Sequence, residues 1–147
     1  MRGEPYFEVI SRAVIEDERG ILVCRIKGKD YYFLPGGHVE FGEDPLKALH
    51  RELEEELGAQ CTGGRFIGAI NNVFTEDGMQ HHEINLIFSL AMDEPSIESK
   101  EEHIEFFFLD RDTFSREQIL PAVLQEEIVR WWERKEIFYQ SNAEGAS

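Results

Sequence analysis

The sequence predicts an α/β (α+β) fold in which a mixed β-sheet is covered by helices. Extended segments with alternating apolar residues are interspersed with helical ones, and short polar turns join some neighbouring extended segments. The helical segments each carry one apolar side suited to packing on a sheet. At 147 residues the chain has room for a single domain spanning 1–147, and 41% hydrophobic residues, 11 Phe among them, suffice for its core.

Residues 6–15 (YFEVISRAVI) read as a strand, EDERG at 16–20 as a polar turn, and ILVCRI at 21–26 as the returning strand of a hairpin. DYYFLPGGHVEFGED then runs from a short aromatic strand through Pro35-Gly36-Gly37 and a second short extended piece to Asp44-Pro45. Asp44 is a good N-cap and Pro45 suits the first helical position, so a helix is predicted over 45–57 with Gly58 as its stop. Its apolar stripe is Leu46, Leu49, Leu53 and Leu57. RFIGAINNVF at 65–74 and HEINLIFSLAM at 82–92 read as strands flanking a polar turn at Asp77-Gly78, and HIEFFFL at 103–109 reads as another. A second helix is predicted over 121–135, with Val123, Leu124, Ile128, Trp131 and Trp132 on its apolar face. Residues 140–147 read as a loose tail.

Against 15 Lys and Arg stand 30 Asp and Glu, a formal charge of −15. Nucleic-acid binders neutralise phosphates with Lys and Arg, so this balance predicts no nucleic-acid partner. One route to phosphate remains open, in which carboxylates hold divalent cations and the cations hold the anion. Cys24 and Cys61 lack the spacing of a zinc site or a disulfide scaffold. The first residues carry acids and no apolar leader, and no apolar run reaches the roughly 18 residues of a membrane helix. A cytoplasmic protein without membrane association is expected.

Within the helix at 45–57, Glu52, Glu55 and Glu56 stand at i, i+3 and i+4, on one helical face. Like charges at that spacing destabilise a helix by roughly 0.2 to 0.5 kcal/mol per pair, so the cluster needs solvent screening or a counter-cation. Taken alone, the triplet reads equally as a solvated acidic face. Read as ligands, oxygen-only donors suit a hard cation, Mg²⁺ or Mn²⁺ rather than zinc. Arg51, four residues before Glu55, is placed to orient a carboxylate.

From Gly37 to Ala59 the chain reads GHVEFGEDPLKALHRELEEELGA, which fits the pattern G-x5-E-x7-R-E-U-x-E-E-x-G-U with U a bulky aliphatic residue. This resembles the Nudix box. Gly37, Glu43, Arg51, Glu52, Leu53, Glu55, Glu56 and Gly58 hold their motif positions, and only Ala59 departs, being smaller than the usual aliphatic residue. The seven Gly, Glu and Arg positions would coincide by chance in roughly one of 10⁴ to 10⁵ sequences of this composition. The Leu-Pro-Gly-Gly stretch before the box and the HEINLIF strand extend the likeness across most of residues 6–135.

The resemblance implies a Nudix-like mixed sheet between helices and a pyrophosphohydrolase. Its substrate would be a nucleoside diphosphate linked to another moiety (a nucleoside triphosphate, nucleotide sugar or dinucleotide), and its product a nucleoside monophosphate. It implies Mg²⁺ or Mn²⁺ held by Glu52, Glu55, Glu56 and the carbonyl of Gly36, with Glu43 and Arg51 organising loop and helix. Relatives differ in which carboxylate takes the proton of the attacking water, so Glu52 and Glu102 are both candidates for the base. Glu101, Glu102 and Glu105 lie where relatives often carry one more functional Glu, and Glu102 is favoured among them. Arg25 ends a strand that in relatives faces the substrate, where a guanidinium contacts phosphate or merely decorates the surface.

Asn71, Asn72 and Phe74 are candidates for contacts with a base or ribose, and His81, His82 and Glu83 sit at the start of the following strand; structural roles compete for all six. Trp131-Trp132 reads as core or as a dimer contact, which leaves a homodimer open. Two rival functions stand beside the hydrolase. One is a catalytically silent nucleotide-binding regulatory module on the same fold, which the intact Arg51-Glu52 and Glu55-Glu56 pairs oppose. The other is an enzyme that removes messenger-RNA caps, which the lack of a basic stripe opposes.

Overall fold

Asp77 and Gly78 both adopt positive φ, 52° and 76°, the backbone that tight hairpin turns of primed type require. They join two long strands, β4 (Cys61–Glu76) and β5 (Met79–Met92), paired antiparallel down to Glu76↔Met79. The turn is local, and the length of the ribbon follows from the alternation on either side of it. The structure, a computed structural model of the chain, describes residues 6–93 and 97–143.

The other elements are β1 (Tyr6–Asp17), β2 (Gly20–Ile26), β3 (Gly36–His38), α1 (Pro45–Leu57), β6 (Ile104–Leu109), α2 (Arg111–Arg116), α3 (Ala122–Arg134) and β7 (Phe138–Ser141). Seven strands form a mixed sheet in the order β6-β2-β1-β5-β4-β7, with β3 added beside β1. The pairs β1–β5 and β4–β7 are parallel and the rest antiparallel. The predicted β1–β2 hairpin holds only at its tip, Glu16↔Ile21 and Asp17↔Gly20. Beyond the tip the two strands part, β1 running along β5 from Tyr6 to Ile15 and β2 along β6.

Alternation along the strands divides the interior into two cores. Ala13, Ile15, Leu22 and Cys24 face α1 and meet Leu49, Leu53 and Leu57. Val14, Ile21 and Val23 face the other way and meet Phe114 of α2 with Leu124 and Ile128 of α3. Each face of the sheet therefore carries a helical layer, as the two apolar stripes predicted. The three consecutive Phe of β6 divide accordingly, Phe106 and Phe108 with the α1 core and Phe107 with the α2–α3 core. Trp131 and Trp132 pack against the α2–α3 core, with Trp132 edge-on to Phe114 at 5.5 Å.

Helix α1 has the predicted ends: Asp44 accepts from the backbone N–H groups of Leu46 and Lys47, and Gly58 takes the left-handed conformation at φ 66°. Two features differ from the expectation. The six-residue α2, capped by Asp110, has no counterpart among the predicted elements. Residues 140–147 were read as loose, yet Gln140 and Ser141 belong to β7, and the Asn142 N–H donates to the Asn71 carbonyl at 3.1 Å. A four-residue strand has too little local signal to be read alone; its partner β4 makes it a strand. Residues 144–147 lie outside the described residues.

Candidate active site

Two glycines bring the loop before α1 into place. Gly36 sits opposite Arg12 in the β1–β3 ladder at φ 151°, where a Cβ would come within 1.9 Å of the Ser11 carbonyl oxygen. At Gly37 a Cβ would fall 2.4 Å from Cδ of Glu52. Only bare backbone lets the loop lie against β1 and the Glu52 carboxylate together. Ser11 Oγ donates to the Pro45 carbonyl at 2.8 Å, fastening the start of α1 to the same strand.

Arg51 organises the acidic face of α1. Its Nε and Nη2 donate to the two oxygens of Glu43 at 2.8 and 3.0 Å, a bidentate pair, and Nη2 also reaches the His38 carbonyl at 3.3 Å. Nη1 donates to Glu52 Oε1 at 3.1 Å and lies 3.5 Å from Glu55 Oε1. This guanidinium holds the Glu43 carboxyl well below the ordinary range, at about 2. Glu43 stays charged and, with the Glu40 N–H donating to it at 3.0 Å, ties the loop to the helix.

Glu56 is pushed the other way, up to about 7, first by burial and then by the like charges of Glu52 and Glu101. Its Oε1 is buried without a hydrogen-bond partner. Burial likewise raises Glu52. The Lys100 N–H donates to the Glu56 carbonyl at 2.7 Å and brings the 97–103 loop, with Glu101, over the end of α1. Glu55 is more than half exposed and leans toward Arg51. Among the described residues no three such groups stand in a ready-made chelate. The donor set nevertheless fits a hard divalent cation: every candidate ligand is oxygen, and a buried carboxylate oxygen without a partner beside like charges is a group that such a cation would satisfy.

Between strands β1, β4 and β5 and the start of α3 opens a cleft of about 500 Å³ lined by Arg12, Phe33, Asn72, Phe74, Glu83 and Ala122 among others. Polar residues of β1, β4 and β5 form its floor. Arg12 Nε donates to Asn85 Oδ1 at 3.0 Å and Nη1 to the Leu34 carbonyl at 2.9 Å. Asn72 and Asn85 both donate to Glu83 Oε1, at 3.3 and 3.4 Å, and Asn142 Nδ2 donates to Asn72 Oδ1 at 2.6 Å. Arg12 and Glu56 act on one another's charge, which links the cleft electrostatically to the buried carboxylate of α1.

Gly36, Glu43, Arg51, Glu52, Glu55 and Glu56 are thus brought together. Glu102 is exposed and is not among the charges acting on Glu56, whereas Glu101 is. Arg25 does not line the cleft. It lies over the rings of Tyr32 and Phe107, at 5.3 and 4.8 Å, with Nη2 3.4 Å from Glu105 Oε1. Asn72, Phe74 and Glu83 line the cleft, with the His81 ring stacked on Phe74 at 4.6 Å. Asn71 and His82 hydrogen-bond to one another at 2.6 Å on the opposite side of the ribbon, as alternation demands. Arg12, Asn85 and Asn142 were missed. The available signal was polar residues recurring at every second position of strands that are otherwise apolar.

Comparisons with known proteins identify the fold and the family. The family model for the NUDIX domain matches residues 8–142. The chain is 47% identical over 56 residues to an RNA pyrophosphohydrolase of Halorhodospira halophila, covering 38% of this chain and 31% of the relative. It is 43% identical over 54 residues to an 8-oxo-dGTP diphosphatase of Haemophilus influenzae, covering 33% and 40%. The chain therefore spans about a third of the length of the curated relatives it matches. Among solved structures, the MutT protein of Methanosarcina mazei superposes with a TM-score of 0.73 at 22% identity, over 90% of this chain and 97% of that one. A MutT protein of Bacillus halodurans gives 0.72 at 18% identity, over 91% and 88%. No helix among the described residues is long and apolar enough to cross a membrane. With the domain match running from β1 to the residue after β7, and with the solved folds sharing the same layers, this chain belongs to the Nudix family.

Proposed function

We propose that the protein is a divalent-cation-dependent pyrophosphohydrolase that cleaves a nucleoside diphosphate linked to another moiety and releases a nucleoside monophosphate. The observation that carries this reading is Glu56, a buried carboxylate with an unsatisfied oxygen, acted on by the charges of Glu52 and Glu101 and of Arg12, which lines a cleft of about 500 Å³. The names of the partial-length relatives, pyrophosphohydrolase and diphosphatase, support it.

Glu52, Glu55 and Glu56, with the Gly36 carbonyl, are the groups that would hold Mg²⁺ or Mn²⁺. When bound, such cations supply positive charge for the developing phosphate oxygens and acidify water. The chain's own residues do the rest. Arg51 fixes Glu43 and Glu52, so the acidic face keeps one orientation as charge develops in front of it. The aromatic and amide walls of the cleft hold the nucleoside and align the diphosphate for in-line attack. A carboxylate takes the water's proton: Glu52 and Glu101 are the favoured positions, and Glu102 would have to turn inward to serve.

Incubating the protein with a panel of nucleoside triphosphates, nucleotide sugars and dinucleotides in Mg²⁺ or Mn²⁺, with chromatographic identification of products, tests the reading. Release of a nucleoside monophosphate is expected. Release of orthophosphate from a γ position would indicate another class of hydrolase, and binding without turnover would favour the silent regulatory module. An RNA substrate, which the name of one relative suggests, is disfavoured by the net charge of −15.

A further inference from the structure

The strand order ends at β7, whose far side pairs with no other strand among the described residues. One bond fixes the direction of its backbone. The Asn142 N–H donates to the Asn71 carbonyl of β4, and backbone groups alternate in direction along a strand, so Gln140 turns toward β4 while Tyr139 and Ser141 turn outward. The Ser141 N–H donates to Oε1 of the Gln140 side chain at 3.3 Å. Tyr139 therefore presents both an N–H and a C=O along the open edge. Exposed edges are ordinarily guarded by charged side chains, Pro or a bulge. The strand Phe-Tyr-Gln-Ser has no charge and no proline, and its pairing with β4 runs without a register break.

Apolar surface accompanies this unguarded edge. Tyr139 is 67% exposed and Ile137 69%, and Val129 of α3 is exposed as well. A groove of about 190 Å³ runs between α3 and β7, walled by Arg130, Trp131, Arg134, Ile137 and Tyr139 among others. Tyr, Trp and Arg are the side chains that dominate binding energy at protein interfaces. Charge decides what can cover the groove. A chain of net charge −15 repels its own copies over most of its surface. At the other end of the strand order, β6 is flanked by Glu101, Glu102, Glu105 and Asp110. Along α3 the four Glu between 126 and 136 are met by Arg130, Arg134 and Lys135, so this edge is close to neutral and carries both signs.

We propose that this edge is the interface of a symmetric homodimer, in which β7 pairs antiparallel with β7 of a second copy about a two-fold axis at Tyr139. A two-fold contact needs one patch that complements itself. Tyr139 supplies that: its N–H and C=O exchange hydrogen bonds with the same two groups of the second copy, and Ile137 then stands opposite Ser141. The two Tyr139 rings become a cross-strand aromatic pair. Two four-residue strands cover less than the roughly 1,200 Å² of a stable interface, so Val129, Arg130, Arg134 and Ile137 complete the contact. There the mixed charges let an Arg of one copy meet a Glu of the other. This interface stands whether or not the protein hydrolyses nucleotides.

Sedimentation velocity of the full chain over about 1 to 200 μM should show a concentration-dependent passage from monomer to dimer. Tyr139→Glu sets two like charges opposite one another across the axis and should raise the dimer Kd at least about 10-fold, as should Tyr139→Arg. Mixed in equal amounts, the two variants should form a heterodimer at least about 10-fold tighter than either homodimer, because opposite charges then face each other. A monomer at every concentration of the unaltered protein overturns the proposal. So does a dimer that survives either substitution, or a mixture that stays monomeric. A monomer that instead takes an extended peptide along β7 assigns the edge to another partner and overturns it equally. Circular dichroism checks that the variants fold. If they do not, hydrogen exchange on the unaltered protein decides: the Tyr139 amide should exchange about 10-fold more slowly at the highest concentration than at the lowest, and a rate independent of concentration overturns the pairing.

Discussion

Glu56 carries the largest consequences of any side chain in the site. A neutral amide ligates a hard cation poorly, so Glu56→Gln should lose metal-dependent turnover by roughly 10² to 10⁴-fold while circular dichroism stays unchanged. Near-normal rates in a folded variant would remove Glu56 from the metal site. The same carboxyl makes the stability of the metal-free protein depend on pH. Its value rises from an ordinary 4.5 to about 7 on folding, so between those limits the folded state binds the proton that the unfolded state has lost. Its contribution is therefore full below about pH 4.5, falls as pH rises toward 7, and is flat above. Urea unfolding in EDTA at pH 5, 6, 7 and 8 should show stability declining relative to Glu56→Gln over the same range; parallel curves for the two proteins would contradict the assignment. Glu43 works with the opposite sign and in a lower window. Held at about 2 by Arg51, it contributes stability above pH 4.5 that is lost on acidification.

Helix α1 and the glycine strand before it act as one element. Leu53 is fully buried although Glu52 and Glu54 flank it, and Leu53→Ala should cost about 2 to 5 kcal/mol through the cavity it leaves. An unchanged melting midpoint would mean that the buried stripe lies elsewhere. The two glycines predict contrasting defects. A side chain at Gly36 would meet the Ser11 backbone, which cannot yield without breaking the β1–β3 ladder, so Gly36→Ala should destabilise by more than about 2 kcal/mol. At Gly37 the obstacle is the movable Glu52 carboxylate. Gly37→Ala should change stability by less than about 1 kcal/mol yet lower activity by about 10²-fold, because displacement by about 1 Å of a carboxylate proposed to hold the cation has that effect. Thermal unfolding alongside steady-state rates separates the two, and equal stability losses would refute the distinction.

On the scale of the molecule, the sheet closes through β7. Phe138 packs so tightly over Gly68 that a Cβ there would lie 2.3 Å from its ring, and Asn142 both accepts from the Val73 N–H at 2.7 Å and orients Asn72. A chain ending at Ile137 should therefore melt lower by several degrees and lose nucleotide binding, the first read by calorimetry and the second by titration. Unaltered binding after that truncation would show that the cleft is complete without its last strand.

The sequence by itself determined α1 from its cap at Asp44 to its stop at Gly58, the leucine stripe, and the carboxylate face with Arg51 beside it. These are local quantities, set by a 3.6-residue period and by cap chemistry within a single turn. It also determined the long strands β1, β2, β4, β5 and β6 and that helices cover the sheet, because alternation and apolar stripes survive without knowledge of partners. Only the tertiary structure decided that the charge of Glu101 acts on Glu56, that Arg25 lies among aromatic rings outside the cleft, and that Phe138–Ser141 is a strand. It alone assembled Arg12, Asn72, Glu83, Asn85 and Asn142 into one floor. Those residues come from strands up to about 130 positions apart in the chain, and their meeting depends on ladder register, which long-range pairing fixes and no local pattern encodes.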